Sequence, residues 1–258
     1  AARYMYDSPV SAGPYTLVSL DTGTLQATLE LNPNYAGNFE RNGYGKLQFA
    51  CDFGPTQFPA VRQAVALLLD RNEFANQFCA GYGSVVDGPY GLCMWMYKES
   101  QEFFADNIDS YAYNPDRAVE ILEADGWTLN ADGTPYSGTG LRYKEVTAEE
   151  AGDYALNVTL DDGRILMPLI IKWCSSEENA VSDLLATMLA NADAVKNSGM
   201  SIVQDVVDWD SLLNVIYRTD ADGNAVAPFY SMTNLATNLT STIYDYSFQW
   251  TDDPDMVA

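Results

Sequence analysis

Histidine is absent from the 258 residues. Without it there is no imidazole base, no Ser/His/Asp or Cys/His nucleophile pair, and no His-ligated zinc, copper or nickel site. Cationic side chains are scarce: 13 Lys and Arg stand against 36 Asp and Glu, a net charge of −23. A nucleic-acid duplex or an anionic bilayer repels such a surface, so neither nucleic-acid binding nor polybasic membrane attachment is expected. Long apolar runs are missing as well. The longest, Ala64 to Leu69 and Ile165 to Ile171, fall short of the ~20 residues that span a bilayer, and direct membrane insertion is not expected. No charged-then-apolar secretory start stands at Ala1, so the sequence reads either as cytosolic or as a processed or excised piece of an exported protein. The four cysteines, Cys51, Cys79, Cys93 and Cys174, include no Cys-x-x-Cys pair. That excludes a zinc knuckle and a thioredoxin-type motif. Cys79 and Cys93 are the nearest pair, and disulfides and free thiols both stay open.

What is present is an ordinary globular composition, 47% hydrophobic and 19% charged, long enough for one large domain or two small ones. Residues 1–40 read as β-rich: Tyr15 to Leu20 and Leu25 to Leu31 alternate around the turn-prone Asp21-Thr22-Gly23. Asn32-Pro33-Asn34-Tyr35 ends the second strand. The polar stretch from Ala36 to Gly45, with three glycines, is a boundary, and Leu47 to Phe53 reads as a strand entering a second part, residues 41–258.

Pro59 opens a helix with Val61, Ala64, Val65 and Leu68 on its apolar face. Asp70 and Glu73 have capping-box spacing for a second helix running to about Cys79. Asn114 caps a third, which Pro115 starts, and Ala118, Ile121, Leu122 and Asp125 share one of its faces. Gly126 stops it, with Trp127 folding back as the hydrophobic partner. Turn signals at Asp132-Gly133, Ser137-Gly138 and Asp161-Asp162-Gly163 predict hairpins. From Ile165 the pattern becomes strand (to Trp173), helix (Val181 to Ala192), strand (Ser201 to Val207), short helix capped by Asp208, and strand (Phe229 to Thr233). That alternation predicts an α/β fold with a mostly parallel, helix-covered sheet.

Carboxylates are too plentiful for any pair to single out an acid/base site. Asp161-Asp162, Asp252-Asp253 and Glu149-Glu150 read as solvated turns and helix starts. Asp220-Ala221-Asp222-Gly223-Asn224 has its glycine too early for a calcium loop, and Ser231 stands where the closing Glu belongs. It reads as a tight turn. Asn157-Val158-Thr159 and Asn238-Leu239-Thr240 match the glycosylation triplet at the level of chance. Aromatics are plentiful, 17 Tyr, 10 Phe and 5 Trp, and part of them cluster between Tyr82 and Tyr113. Such residues serve equally to line a cleft for a small organic ligand or to pack a long loop onto its domain.

Taken in order, Gly13-Pro14-Tyr15 with its strand, Asn32-Pro33-Asn34-Tyr35, Val61-Arg62-Gln63-Ala64 with Leu69-Asp70-Arg71, and Tyr113-Asn114-Pro115-Asp116 through Gly126-Trp127 form one pattern. It resembles the extracytoplasmic solute-binding proteins of oligopeptide, dipeptide and nickel ABC importers. The strand, helix and Gly199 run of residues 165–207, then Trp209, follows the same family order. The resemblance implies a class II periplasmic-binding-protein-like lobe, here residues 41–258 as much of the second lobe, with residues 1–40 as strands of the first. It also implies that segments of the first lobe and the closing helices are absent, as in a fragment. The implied function is non-catalytic: capture of peptides or similar small solutes outside the cytoplasm, by a surface lipoprotein or periplasmic protein, for delivery to membrane permease subunits, with no cofactor and no metal. In peptide-binding members an acidic residue after the strand matching Phe229 to Thr233 holds the peptide's amino group. Here Asn234-Leu235-Ala236-Thr237-Asn238 has no carboxylate, which leaves Asp245 as the substitute, and nickel is disfavoured without histidine. Open α/β lobes bind at the carboxyl ends of their strands. The expected ligand-facing residues are therefore Tyr90, Trp95 and Tyr97 from one loop, and Asn234, Asp245 and Trp250. Two other functions compete: an Asp/Glu-dependent hydrolase acting on saccharides, and a clamshell sensor or adhesin.

Overall fold

The computed structural model describes residues 15–21, 23, 24, 26–32, 42–92 and 94–239. The chain divides into two compact units, residues 1–42 with 239–258, and residues 43–238. In the smaller unit β1 (Tyr15–Asp21) pairs antiparallel with β2 (Gln26–Leu31), Tyr15 opposite Leu31 and Asp21 opposite Gln26. The expected turn joins them. The Asp21 carboxylate accepts from the N–H groups of Gly23 (2.8 Å) and Thr24 (3.2 Å), a side-chain substitute for a backbone turn bond.

The larger unit is built around a four-stranded sheet in the order β3-β9-β7-β8, from β3 (Asn42–Phe49), β7 (Ile170–Ser176), β8 (Ser201–Val207) and β9 (Met232–Leu239). Strands β7 and β8 are parallel from Ile170/Ser201 to Ser176/Val207, and β9 runs parallel to β7 with Met232 opposite Trp173. Beside it lies an antiparallel sheet in the order β4-β6-β5: β4 (Tyr143–Val146), β5 (Val158–Thr159) and β6 (Ile165–Pro168). The result is an α/β fold with a mixed sheet arrangement.

Helix α1 (Pro59–Leu68) buries its expected face: Val61, Ala64, Val65 and Leu68 are all 0–1% exposed. The Asp70 carboxylate caps α2 (Arg71–Cys79) by accepting from the Glu73 N–H at 3.0 Å. Two short helices follow, α3 (Trp95–Glu99) and α4 (Gln101–Asn107). In α5 (Pro115–Ala124) the Asn114 side chain accepts from the Arg117 N–H, and Ala118 and Leu122 pack inward against α1. Gly126 takes φ +95°, which lets Trp127 return to the core edge-on to Phe58, 5.8 Å between ring centres. A single turn, α6 (Ala148–Ala151), carries a complete capping box between Thr147 and Glu150. Helix α7 (Ala180–Leu185) widens into a π turn at Ala186–Ala190, so the run expected to Ala192 is not one regular helix. Then come α8 (Asp193–Asn197) and α9 (Trp209–Tyr217), the latter capped by Asp208 as expected.

Three strands differ from their sequence expectation. The run from Ile165 to Trp173 is two strands in two sheets. Pro168 offers no N–H, and at Leu169 the chain crosses over, its N–H donating to the Arg142 carbonyl and its carbonyl accepting from Ser201. The nearly continuous apolarity persists because both sheets bury the run. The strand expected over Leu47 to Phe53 ends at Phe49, where the chain turns at Cys51-Asp52 into a 3-10 helix, Gly54–Gln57. The strand expected over Phe229 to Thr233 begins only at Met232 and continues to Leu239. Phe229 and Tyr230 precede it, with Phe229 half exposed. Cys51, Cys79 and Cys174 are free thiols, and Cys93 lies outside the described residues.

Ser231 ties these parts together through its backbone: its N–H donates to Lys172, and its carbonyl accepts from Ala50 N–H and Thr56 Oγ1. Its own hydroxyl is buried and has no hydrogen-bond partner among the described residues. Ser231→Ala keeps every backbone bond and removes the unpaired group. It is expected to leave stability unchanged or raise it by ~1 kcal/mol, read from the urea midpoint. A loss above that would show that the hydroxyl is bonded to buried water.

Candidate functional site

The parallel pair β7 and β8 delivers its two carboxyl ends side by side. The Glu177 N–H donates to the Val207 carbonyl at 2.9 Å, which fixes the loop after β7 against the loop after β8. Asn179 accepts from the N–H groups of Val181 and Ser182, starting α7, and its amide donates to Ser176 Oγ at 2.9 Å. Asp208 accepts from Ser211 N–H (3.0 Å) and Ser211 Oγ (2.6 Å), starting α9. These bonds, the Ser211 hydroxyl foremost, hold the Asp208 carboxyl below the usual range. Exposed Glu177 and Glu178 and half-exposed Trp209 complete the edge. Glu178 sits at φ +49°, an uncommon place for a residue with a side chain. Sequence reasoning placed Asp208 as a cap and Trp209 in the family order, but missed Glu177 and Asn179 as edge residues. Their signal was position alone: polar residues directly after an apolar run.

Of the residues expected to face a ligand, Tyr90 and Tyr97 come together. Their rings stack at 4.6 Å and 11°, Phe104 leans on Tyr90 at 4.7 Å, and the Tyr90 hydroxyl accepts from the Asp87 N–H. These rings spend faces on one another, which is the packing alternative for the aromatic segment. Trp95 opens α3 and is 52% exposed. Asn234 is a correction in placement: it lies inside β9 rather than in a loop after a strand, and it is 5% exposed. Its Oδ1 accepts from the Trp173 indole at 3.0 Å and its amide donates to Ser182 Oγ at 3.1 Å. Thr233 pairs with Cys174 and β9 lies between β7 and β3, so a polar sequence is carried by the sheet. Asp245 and Trp250 lie outside the described residues.

The carboxyls of Asp21, Asp132, Glu150, Asp162 and Asp220 are each held below the usual range, chiefly by a hydrogen bond: from Thr24, Thr134, the Thr147 backbone, Arg164 and Asn224 respectively. A glycosidase acid needs the opposite, a carboxyl held protonated by its surroundings. The acidic 220–224 segment is the tight turn that its sequence suggests, since Asp220 accepts from the Asp222 and Asn224 N–H groups. Asn157 donates its amide to the Ala151 carbonyl at 2.8 Å.

Asp52 is likewise held low, first by the hydrogen bonds of Arg218, whose two terminal nitrogens grip its carboxylate at 2.6 and 2.5 Å. A depressed folded pKa contributes stability above the unfolded value, near ~4, and loses it as pH falls through the folded one. Asp52→Asn is therefore expected to flatten the stability profile below about pH 4 and leave its form near pH 7 unaltered, in urea titrations across that range. The effect is small because both partners are well exposed. An unchanged acid limb would show that the pair does not persist in solution.

Residues 37–160 match the sequence model of bacterial extracellular solute-binding proteins, family 5, middle segment. The motif order and this match agree. No curated relative matches the chain. Among solved structures, the oligopeptide-binding protein AppA of Bacillus subtilis, in complex with a nonapeptide, aligns with TM-score 0.56 and 19% identity, over 80% of this chain and 33% of that one. A periplasmic oligopeptide-binding protein of Thermotoga maritima gives 0.53 and 12%, over 92% and 49%. NikZ of Campylobacter jejuni, in complex with Ni(L-His), gives 0.50 and 17%, over 81% and 32%. The chain thus spans less than half of each of these solved structures, and its fold is that of class II periplasmic binding proteins.

Proposed function

We propose, from the solute-binding family whose middle segment residues 37–160 match, that this chain forms much of one lobe of an ABC importer's substrate-binding component. The observation that carries the reading is the shared carboxyl edge of β7 and β8, where Glu177 is bonded to Val207 and the loops bearing Asn179 and Trp209 lie side by side. Open α/β sheets bind at such an edge. The whole protein would capture a peptide or similar small solute outside the cytoplasm and hand it to permease subunits, without catalysis. Two observations support this: the family match and the fold shared with a solved oligopeptide-binding protein.

Pockets for small ligands enclose ~70–90% of the ligand, which for a two-lobed cleft takes both lobes. Losing three or four contacts of ~1 kcal/mol moves a micromolar site towards millimolar. Titration calorimetry of this chain and of its full parent with one peptide mixture tests the proposal. Tight binding by the parent and at least ~100-fold weaker binding by the chain is expected. No binding to the parent would overturn the peptide reading, and product formation under mass spectrometry would overturn the non-catalytic one.

A further inference from the structure

A cleft of about 190 Å3 opens between the end of β3, the last turn of α9 and the segment leading into β9. It lies away from the carboxyl edge. The Ser231 N–H reaches Lys172 and Met232 is level with Trp173, so residues before 231 lie towards the amino end of β7. We propose that this cleft is a second binding site, for a neutral single-ring aromatic molecule that carries a hydroxyl or amide.

Size comes first: a cavity of about 150 Å3 is enough for one benzene ring. The walls supply ring surface. Phe49, Phe229 and Tyr230 line the cleft, with Tyr230 edge-on to Phe229 at 5.0 Å and 88°. Phe229 is 54% exposed, yet its ring is held from one side by the Lys172 ammonium, 3.7 Å from the ring centre. Arg218, which carries a guanidinium, also lines the cleft. Its two bonds to Asp52 fix it as a plate, and the flat face of such a plate stacks on aromatic rings. Because Asp52 balances its charge, the site does not call for an anion. Asn214 and Thr219 are among the polar lining residues, and their side chains have no hydrogen-bond partner among the described residues. They are the groups a ring hydroxyl or amide would meet. A ligand that satisfies them gains over one that leaves them dry.

Phenol is the probe, titrated into the isotope-labelled chain and followed by amide shifts in NMR. Saturable shifts at Phe49, Arg218, Phe229 and Ser231 are expected, with Kd on the order of millimolar for so small a molecule. Cyclohexanol, with the hydroxyl but no π face, should bind about 2–10-fold more weakly, and Phe229→Ala should weaken phenol by a similar factor. Phe78→Ala, an exposed aromatic change on α2, should leave phenol binding as it is. Asn214→Ala should erase the preference for phenol over toluene. Shifts that do not saturate, or that spread equally over the exposed rings of α2 to α4, would overturn the assignment. So would Phe229→Ala and Asn214→Ala both retaining wild-type binding and spectra. Peptide binding at the carboxyl edge is a separate readout, and neither result stands or falls with the other.

Discussion

Arg142→Met is expected to lower the stability of the larger unit by ~3–4 kcal/mol, measured by urea unfolding. The guanidinium is 5% exposed and works as a three-way clasp. Its Nε donates to the Ser198 carbonyl and Nη1 to the Trp127 carbonyl, both at 2.9 Å, while Nη2 meets Glu123 at 2.8 Å. Its plane also lies 4.2 Å from the Tyr136 ring centre. Methionine retains most of the stem's packing but leaves two buried carbonyls without donors, at ~1–3 kcal/mol each. The Glu123 contact adds little, since that carboxylate is half in water. Arg142→Lys should recover only part of the loss, because an ammonium cannot address three directions in one plane. A cost below ~1 kcal/mol would mean that water takes the place of the side chain. The neighbouring Gly199 belongs to the same clasp. It has φ +80°, and a Cβ there would fall 2.4 Å from Arg142 Cγ, so Gly199→Ala is expected to be destabilising as well.

Trp173→Ala should cost ~3–5 kcal/mol, the range for emptying a large buried aromatic site. Trp173 is fully buried at the centre of the sheet, between the strand pairings to β8 and β9. Trp173→Phe separates volume from polarity. It keeps most of the ring but removes the indole N–H that Asn234 accepts, leaving Oδ1 with the longer Ser182 hydroxyl contact at 3.4 Å. A loss of ~1–2 kcal/mol is expected for Phe. If Phe costs as much as Ala, the hydrogen bond rather than the packed volume holds this part of the sheet. With an overall stability of only ~5–15 kcal/mol typical of a domain, either Trp173→Ala or Arg142→Met brings the unit near its unfolding threshold.

Local chemistry was legible in the sequence wherever one short segment settles its own structure. The caps at Asp70, Asn114 and Asp208, the stop at Gly126 with Trp127, and the turns at Asp132-Gly133 and Asp220–Asn224 all depend on neighbours within a few residues. The ordered motifs of residues 13–127 were likewise enough to indicate the family whose model covers 37–160. The aromatic segment was half legible: its composition showed that rings gather, but not whether they face a ligand or, as Tyr90 and Tyr97 do, each other.

By itself, then, the sequence determined the acidic, histidine-free surface, the helix termini, the α/β alternation and the family resemblance. These depend on residue identity and short-range periodicity. Tertiary structure alone decided that the Ile165–Trp173 run serves two sheets, because only there does Leu169 meet Arg142 and Ser201. It decided that Asn234 is an internal partner of Trp173 and Ser182 rather than a loop residue, since β9 is made by pairing with a strand some sixty residues away in sequence. It also placed Glu177 beside Val207 and Asp52 beside Arg218. Such contacts join segments far apart along the chain, and side-chain periodicity carries no information about which distant backbone will supply the missing donor or acceptor.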